Sequence, residues 1–129
     1  MVICDTNVII EYFKGNELTK KILNSILSED IAVSVITLME LMIGALNKRE
    51  LKKIKRAINS FIILQISEEI SEMAITLIEK YSKSHGLKIP DALIAATAIY
   101  HNAKLWTYNV KDFRYIDGLN LLDFEKEKK

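Results

Sequence analysis

MVICDTNVII, residues 1–10, carries a short apolar stretch into Asp5, Thr6 and Asn7 and then becomes apolar again. Val2 to Cys4 has the length and composition of a buried parallel strand, and Asn7 to Phe13 reads as a helix packed behind it. An acid wedged into that junction stands at the carboxyl end of a strand, where open α/β sheets gather their ligands. It is equally a residue that caps the helix it precedes. The junction fixes a β-to-α step, and the rest of the chain must decide what Asp5 does.

Outward from this junction the same alternation repeats. The pattern predicts a second helix from Glu17 to Leu27, a strand from Ile31 to Ser34, and an apolar helix from Thr37 to Asn47 entered through Ser34 or Thr37. Glu50 to Asn59 is amphipathic, and Phe61 to Ile66 fits a third strand. Ser67 with Glu68 and Glu69 starts a long helix whose stripe is Ile70, Met73, Ala74, Leu77, Ile78 and Tyr81, ended by Gly86. Pro90 opens a helix that runs to Tyr100. Leu105 to Thr107 and Leu119 to Leu122 complete the strands, and Glu125 to Lys129 is a charged, frayed tail. Short apolar runs alternating with helical periods predict an α/β fold around a mostly parallel sheet.

The composition bounds the function. At 129 residues, half of them hydrophobic, with one proline, four glycines and no linker-like segment, the chain reads as one domain. Eighteen Lys and Arg against 17 Asp and Glu leave a net charge of +1, so any nucleic-acid contact has to come from a local patch. The lone Cys4 excludes an intrachain disulfide and fits a reducing compartment. No basic region precedes the first apolar run. Ile31 to Leu46 is too short for a comfortable membrane span and carries Glu40, so the expected location is the cytoplasm.

A few acids stand out from the mixed-charge background. Glu40 is the sole charged residue between Asp30 and Lys48, in a helix apolar on nearly every face; a carboxylate there is costly unless it pairs, meets solvent along a narrow stripe, or holds a cation. Asp91 follows Pro90 in KIPDALIAATAIY, in a first helical turn where the helix dipole also favours an acid. LWTYNVKDF leaves a strand and presents Asn109 and Asp112 in a turn, where both are ordinary residues. All four elements border a strand end or a helix start. Carboxylates converging on one sheet rim repel one another, and a divalent cation is the usual remedy. All-oxygen ligands suit Mg²⁺ or Mn²⁺, and His85, His101 and Cys4 offer no zinc spacing.

In order and spacing, ICDTNVII, VITLMELMIGAL, KIPDALIAATAI and TYNVKDF resemble the PIN domain, specifically VapC-type toxins of toxin–antitoxin pairs, from Val2 to about Phe113. The resemblance implies a three-layer α/β/α PIN-like fold with a central mostly parallel sheet, a single PIN domain over residues 1–129, and a Mg²⁺-dependent (or Mn²⁺-dependent) ribonuclease. By position Asp5, Glu40 and Asp91 match the family's acidic triad, with Asp5 and Asp91 as metal ligands. Asn109 stands where many relatives carry Asp, with Asp112 three residues on, so either residue is a candidate for the fourth acidic position and a second metal stays open. Thr6, Asn7 and Thr107 are placed to orient these ligands or a phosphate oxygen. Implied partners are an RNA substrate, a cognate antitoxin laid across the active-site groove, and a second copy in a homodimer or higher homo-oligomer.

Two other readings compete. A PIN-like interaction module without catalysis is kept open by Asn109. A receiver-like phosphotransfer domain would need an Asp at the end of the third strand, where FIILQIS has Gln65 and Ser67.

Two surface features complete the reading. In NKRELKKIKRAI the cations Lys48, Arg49, Lys52, Lys53, Lys55 and Arg56 fall within about 160° of helical arc, opposite Leu51, Ile54 and Ile58. Such a stripe either neutralises phosphates or is a solvated face. Tyr12, Phe13 and Trp106 read as core rather than as base-stacking residues. The apolar faces around Ile9, Ile10, Phe13, Leu38 and Met42 exceed what a monomer of this size hides, and predict self-association or an antitoxin contact.

Overall fold

A computed structural model describes residues 1–124, the Glu29 side chain excepted; the tail expected at 125–129 lies outside the described residues. Five parallel strands form one sheet: β1 (Val2–Cys4), β2 (Ile31–Ser34), β3 (Ile62–Leu64), β4 (Lys104–Trp106) and β5 (Asn120–Leu121), in the order β3-β2-β1-β4-β5. The helices are α1 (Thr6–Phe13), α2 (Glu17–Ser25), α3 (Val35–Ile43), α4 (Lys48–Ile58), α5 (Glu68–His85) and α6 (Ile89–Tyr100). Short 3-10 turns occupy Ser28–Asp30 and Val110–Asp112.

Strand alternation divides the core into two layers. Ile3, Ala32 and Leu105 face α5 and α6, meeting Ile70, Ala74, Leu77, Ile94, Ala95 and Ala98. Cys4, Val33 and Trp106 face the other way, onto Val8 and Ile9 of α1, Ile22 and Leu23 of α2, Leu41 of α3 and Ile54 and Ile58 of α4. Helices thus cover both faces of an all-parallel sheet, the arrangement such sheets require and the three-layer architecture anticipated from the sequence. Among the described residues no helix is long and apolar enough to cross a membrane.

The connection pattern positions the site. From β1 the chain moves outward through β2 to β3, then crosses back to lay β4 on the other side of β1. Strand order therefore reverses between β1 and β4, and the crevice beyond their carboxyl ends is the place where such sheets bind ligands.

Several boundaries differ from the periodicity for local reasons. The apolar helix α3 begins at Val35, not Thr37, because Ser34 caps it, its hydroxyl accepting from the Ile36 N–H at 3.1 Å. Asn47 caps α4 two residues earlier than expected by accepting from Glu50 N–H at 2.9 Å. β4 ends at Trp106, one residue early, so Thr107 lies just beyond the strand. α2 stops at Ser25, and β3 keeps just Ile62–Leu64. Gly86, at φ +69°, terminates α5 in the left-handed conformation as its position suggested.

Two packing expectations are corrected. Phe13, read both as core and as part of the apolar patch, is 39% exposed and belongs to the patch, whereas Trp106 is core and fully buried. Ile9, assigned to an exposed patch, is fully buried: successive helical residues turn by 100°, so Val8 and Ile9 face the sheet while Ile10 and Phe13 face out. Leu38 and Met42 are half-buried, and the exposed apolar residues of that region are Met39, Ile43 and Leu46.

Candidate active site

Asp5 directly follows β1 and caps α1, and the residue is 5% exposed. Oδ1 accepts from Thr6 N–H at 2.8 Å. Oδ2 accepts from the Thr107 hydroxyl at 2.7 Å and from Asn7 Nδ2 at 3.1 Å. Asn7 also accepts from Tyr108 N–H at 3.0 Å through its Oδ1, tying the start of α1 to the segment after β4. Backbone pairing supports the same junction, Asp5 N–H donating to Trp106 C=O at 2.8 Å. Every donor on this carboxylate is neutral. Burial raises its pKa and Glu40 raises it further, while Thr107, Thr6 and Asn7 pull it down.

Glu40 takes the solvent-facing setting among those its apolar helix left open. The residue is exposed, so apolar surroundings do not force a cation upon it. α3 is apolar around most of its circumference, but this flank has no covering neighbour. What fixes the carboxylate is Thr6, whose hydroxyl donates to Oε1 at 2.7 Å and lies 3.1 Å from the buried Thr37 Oγ1.

Asp91 is half-buried in the first turn of α6. Its pKa is pushed up to about 6, first by burial, then by Asp5, Asp112 and Glu40 in that order, against a lowering by Lys88. The crevice therefore brings Asp5, Glu40, Asp91 and Asp112 into mutual electrostatic reach. Asn109 is exposed; its backbone N–H donates to Thr107 Oγ1 at 3.0 Å, and its carbonyl accepts from Asp112 N–H at 2.9 Å. Thr107 is thus a hub, donating to Asp5 and accepting from both Asn109 N–H and Asn7 Nδ2, the latter at 3.3 Å.

The donor set fits a hard divalent cation. Its charged groups are carboxylates, and Cys4 beside them is fully buried with its pKa pushed up to about 12, so it offers no thiolate. Among the described residues no three His, Cys, Asp or Glu side chains are grouped tightly enough to hold an ion alone. Mg²⁺, which keeps several waters and takes one or two carboxylates, needs no such group.

Thr37 was not anticipated. The signal was available, since a threonine three residues before an acid on one helix shares its face. The expected basic stripe forms on α4, where Lys48, Arg49, Lys52, Lys53 and Arg56 line a groove of about 440 Å³ on the face opposite buried Ile54 and Ile58. No acid of the crevice borders that groove.

The hub gives a sharp prediction. Thr107→Val removes the shortest donor to Asp5 while preserving shape, so Asp5 holds its proton to higher pH. Any activity that needs the Asp5 carboxylate should fall roughly 10- to 100-fold, with its acid limb displaced to higher pH. A pH–rate profile superimposable on wild type would rule this role out.

Comparison with known proteins agrees in extent with this architecture. The family model described as PIN domain matches residues 2–119. A protein of Rickettsia felis named Ribonuclease VapC1 is 36% identical over 129 residues, covering 94% of each chain. A Methanocaldococcus jannaschii protein, also named Ribonuclease VapC1, is 33% identical over 127 residues, covering 97% of this chain and 88% of the other. Among solved structures, a toxin–antitoxin complex from Klebsiella pneumoniae contains a chain similar at a TM-score of 0.79 and 37% identity, over 92% of this chain and 95% of that one.

Proposed function

Since the chain belongs to the PIN domain family, we propose that it is an endoribonuclease that uses Mg²⁺ or Mn²⁺, a single PIN domain over residues 1–129, and the toxin of a toxin–antitoxin pair acting in the cytoplasm. Its similarity to proteins named as VapC ribonucleases and to a toxin–antitoxin complex supports the reading. The observation that carries it is the buried Asp5 carboxylate, held by three neutral donors and within electrostatic reach of two more acids of the crevice.

In this reading Asp5 and Asp91 hold the cation, which when bound offsets charge at a phosphodiester and activates water. The chain's own groups do the rest. Thr107, Asn7 and the Thr6 N–H lock the Asp5 carboxylate in one rotamer, so no ordering is needed when substrate arrives. Glu40 is fixed through Oε1 by Thr6, leaving Oε2 to take a proton from attacking water. Asp112 adds negative charge beside Asp91, and Asn109 holds the turn that presents it.

Partner contacts follow from the surface. A groove lined by Ile10, Phe13, Glu40, Gly44 and Ile54 begins at the crevice, and Ile43 and Leu46 beside it are 85% and 86% exposed. This apolar face suits an antitoxin segment laid over the site and a second copy of the chain in a homodimer or higher homo-oligomer.

Incubating the purified chain with labelled RNA in Mg²⁺, in Mn²⁺ and in EDTA tests the assignment. Discrete new RNA ends should form with either ion and none in EDTA. Intact RNA under all three conditions, with no thermal shift on adding either ion, would favour a non-catalytic interaction module.

A further inference from the structure

The crevice does not end at its acids. Beyond Asp91 and Asp112 it widens into a cavity of about 410 Å³, walled by the turn between α5 and α6 on one side and by the segment after β4 on the other. Lys88 comes from the first wall, Lys111 and Arg114 from the second. Among the described residues none of these three cations is engaged in an ion pair, although two carboxylates share the cavity with them. α6 starts here, with Lys88 at its N-cap and no side-chain cap, so the N–H groups of Ile89 and Asp91 add to the positive end of the cavity.

An aromatic stack borders the same space. His85 and Tyr115 lie parallel, with ring centroids 4.0 Å apart and planes within 2°. Tyr81 holds the pair from the edge, at 5.1 Å from Tyr115 and 5.8 Å from His85. Its hydroxyl also accepts from Asp117 N–H at 3.2 Å, fixing the loop that carries Tyr115. His85 is exposed, and Ser84 Oγ lies 2.8 Å from its Nδ1. A π-face already held in place therefore stands beside unpaired cations, within one cavity contiguous with the acids.

We propose that this cavity is the subsite for the nucleotide flanking the scissile phosphate, with Lys88, Lys111 and Arg114 on the flanking phosphate and the base stacked on His85 to extend the Tyr115–His85 pair. The volume suits one nucleotide. Phosphate needs cations and free N–H groups, and a base of any identity needs a ring face. The α4 groove has the cations without ring or acids, which makes it the poorer match. The inference rests on the ribonuclease reading and extends it to residues that contact RNA outside the acidic crevice.

The test uses the full chain carrying Asp5→Asn, so that bound RNA is not cut, and a short fluorescein-labelled oligoribonucleotide of mixed sequence with an abasic counterpart. Lys111→Ala and Arg114→Ala, both at exposed positions, should each weaken binding and reduce the slope of log affinity against log salt by about 0.7. His85→Ala, also exposed, should weaken binding of the base-carrying strand about tenfold, leave the salt slope unchanged, and not affect the abasic strand. In the parent the His85 ring resonance should move on adding the oligonucleotide; His101→Gln identifies which of the two histidine signals it is.

Removal of Lys52 and Lys53 from α4 is the contrasting arm. If those changes abolish binding while the cavity variants bind as the parent does, the subsite is refuted. Wild-type chain that cuts RNA together with cavity variants that bind and cut equally well overturns this inference alone. Failure of the wild-type chain to cut or bind RNA overturns the ribonuclease reading and this inference with it.

Discussion

Replacing Asp5 by asparagine lowers divalent-cation-dependent RNA cleavage by on the order of 10³-fold or more, while the far-ultraviolet dichroism and the thermal transition stay close to wild type. The two halves of this expectation have different causes. The loss of activity follows from removing the charge of the carboxylate proposed to hold the cation. Survival of the fold follows from two opposing effects of the substitution. An asparagine can keep its carbonyl oxygen on Thr6 N–H, but its amide then faces the Thr107 hydroxyl and the Asn7 amide; Thr107 Oγ1 already accepts from Asn109 N–H and Asn7 Nδ2, so both side chains lose their acceptor at position 5. Two lost hydrogen bonds cost about 2 kcal/mol, and relief of a desolvated negative charge offsets much of it. Cleavage within tenfold of wild type in a folded Asp5→Asn protein would eliminate Asp5 as the principal ligand.

The second large effect concerns stability. Without a divalent cation, the wild-type chain should lose stability as pH rises from about 4 through about 6. In the unfolded chain an aspartate titrates near 3.9, whereas the folded environment raises Asp91 to about 6, first through burial and then through its acidic neighbours. Between those values the folded state holds the extra proton, so its advantage is complete below the unfolded pKa and is lost as pH climbs past the folded one. Asp5 is shifted in the same direction and adds to the loss. Allowing for solvent screening at a half-buried group, Asp91 alone accounts for about 1 kcal/mol.

Cation binding at the proposed site should reverse the deficit. At a hundredfold excess over its Kd, Mg²⁺ would stabilise the folded chain by about 2.7 kcal/mol, a rise in Tm on the order of 10 °C. Asp91→Asn should therefore raise Tm near neutral pH in EDTA and abolish the response to Mg²⁺. Thermal melts of both proteins in EDTA and in Mg²⁺, at mildly acidic and neutral pH, check both statements. An undiminished Mg²⁺ shift in the variant would remove Asp91 from the ligand set.

Much of this site can be read without coordinates because acids in apolar surroundings are conspicuous. Asp5 after VIC and Asp91 after Pro90 mark a strand end and a helix start, and the structure places both at the reversal of strand order. Glu40 drew notice through its apolar context, although its actual setting is an uncovered flank of α3; periodicity cannot tell which side of an all-apolar helix lacks a neighbour. Thr37 escaped notice because a threonine in a helix is unremarkable until a hydroxyl from another element meets it. Ile9, grouped with Ile10 and Phe13 in one exposed patch, is buried because an apolar run in a short helix does not fix its rotation about the axis. The Lys88, Lys111 and Arg114 cavity was invisible for a deeper reason. Its walls are an interhelical turn and a 3-10 segment more than twenty residues apart, and no local pattern records their meeting.

The placement of β1 between β2 and β4 governs when the chain acquires its chemistry. Asp5 lies near the amino end, but the hydroxyl that locks it comes from a residue 102 positions later, and the strand beside it must be synthesised, carried past two helices and docked before the carboxylate is held. Contacts of such separation are costly in loop-closure entropy and form late in folding. An incomplete or partly folded copy can bury much of α1 to α4 against β1 to β3 and still lack Asp91 and Thr107 in place. In the ribonuclease reading, a nascent chain built this way should therefore be inert towards the RNA around it during its own synthesis, and should become active only once the carboxyl-terminal third of the chain has closed the sheet.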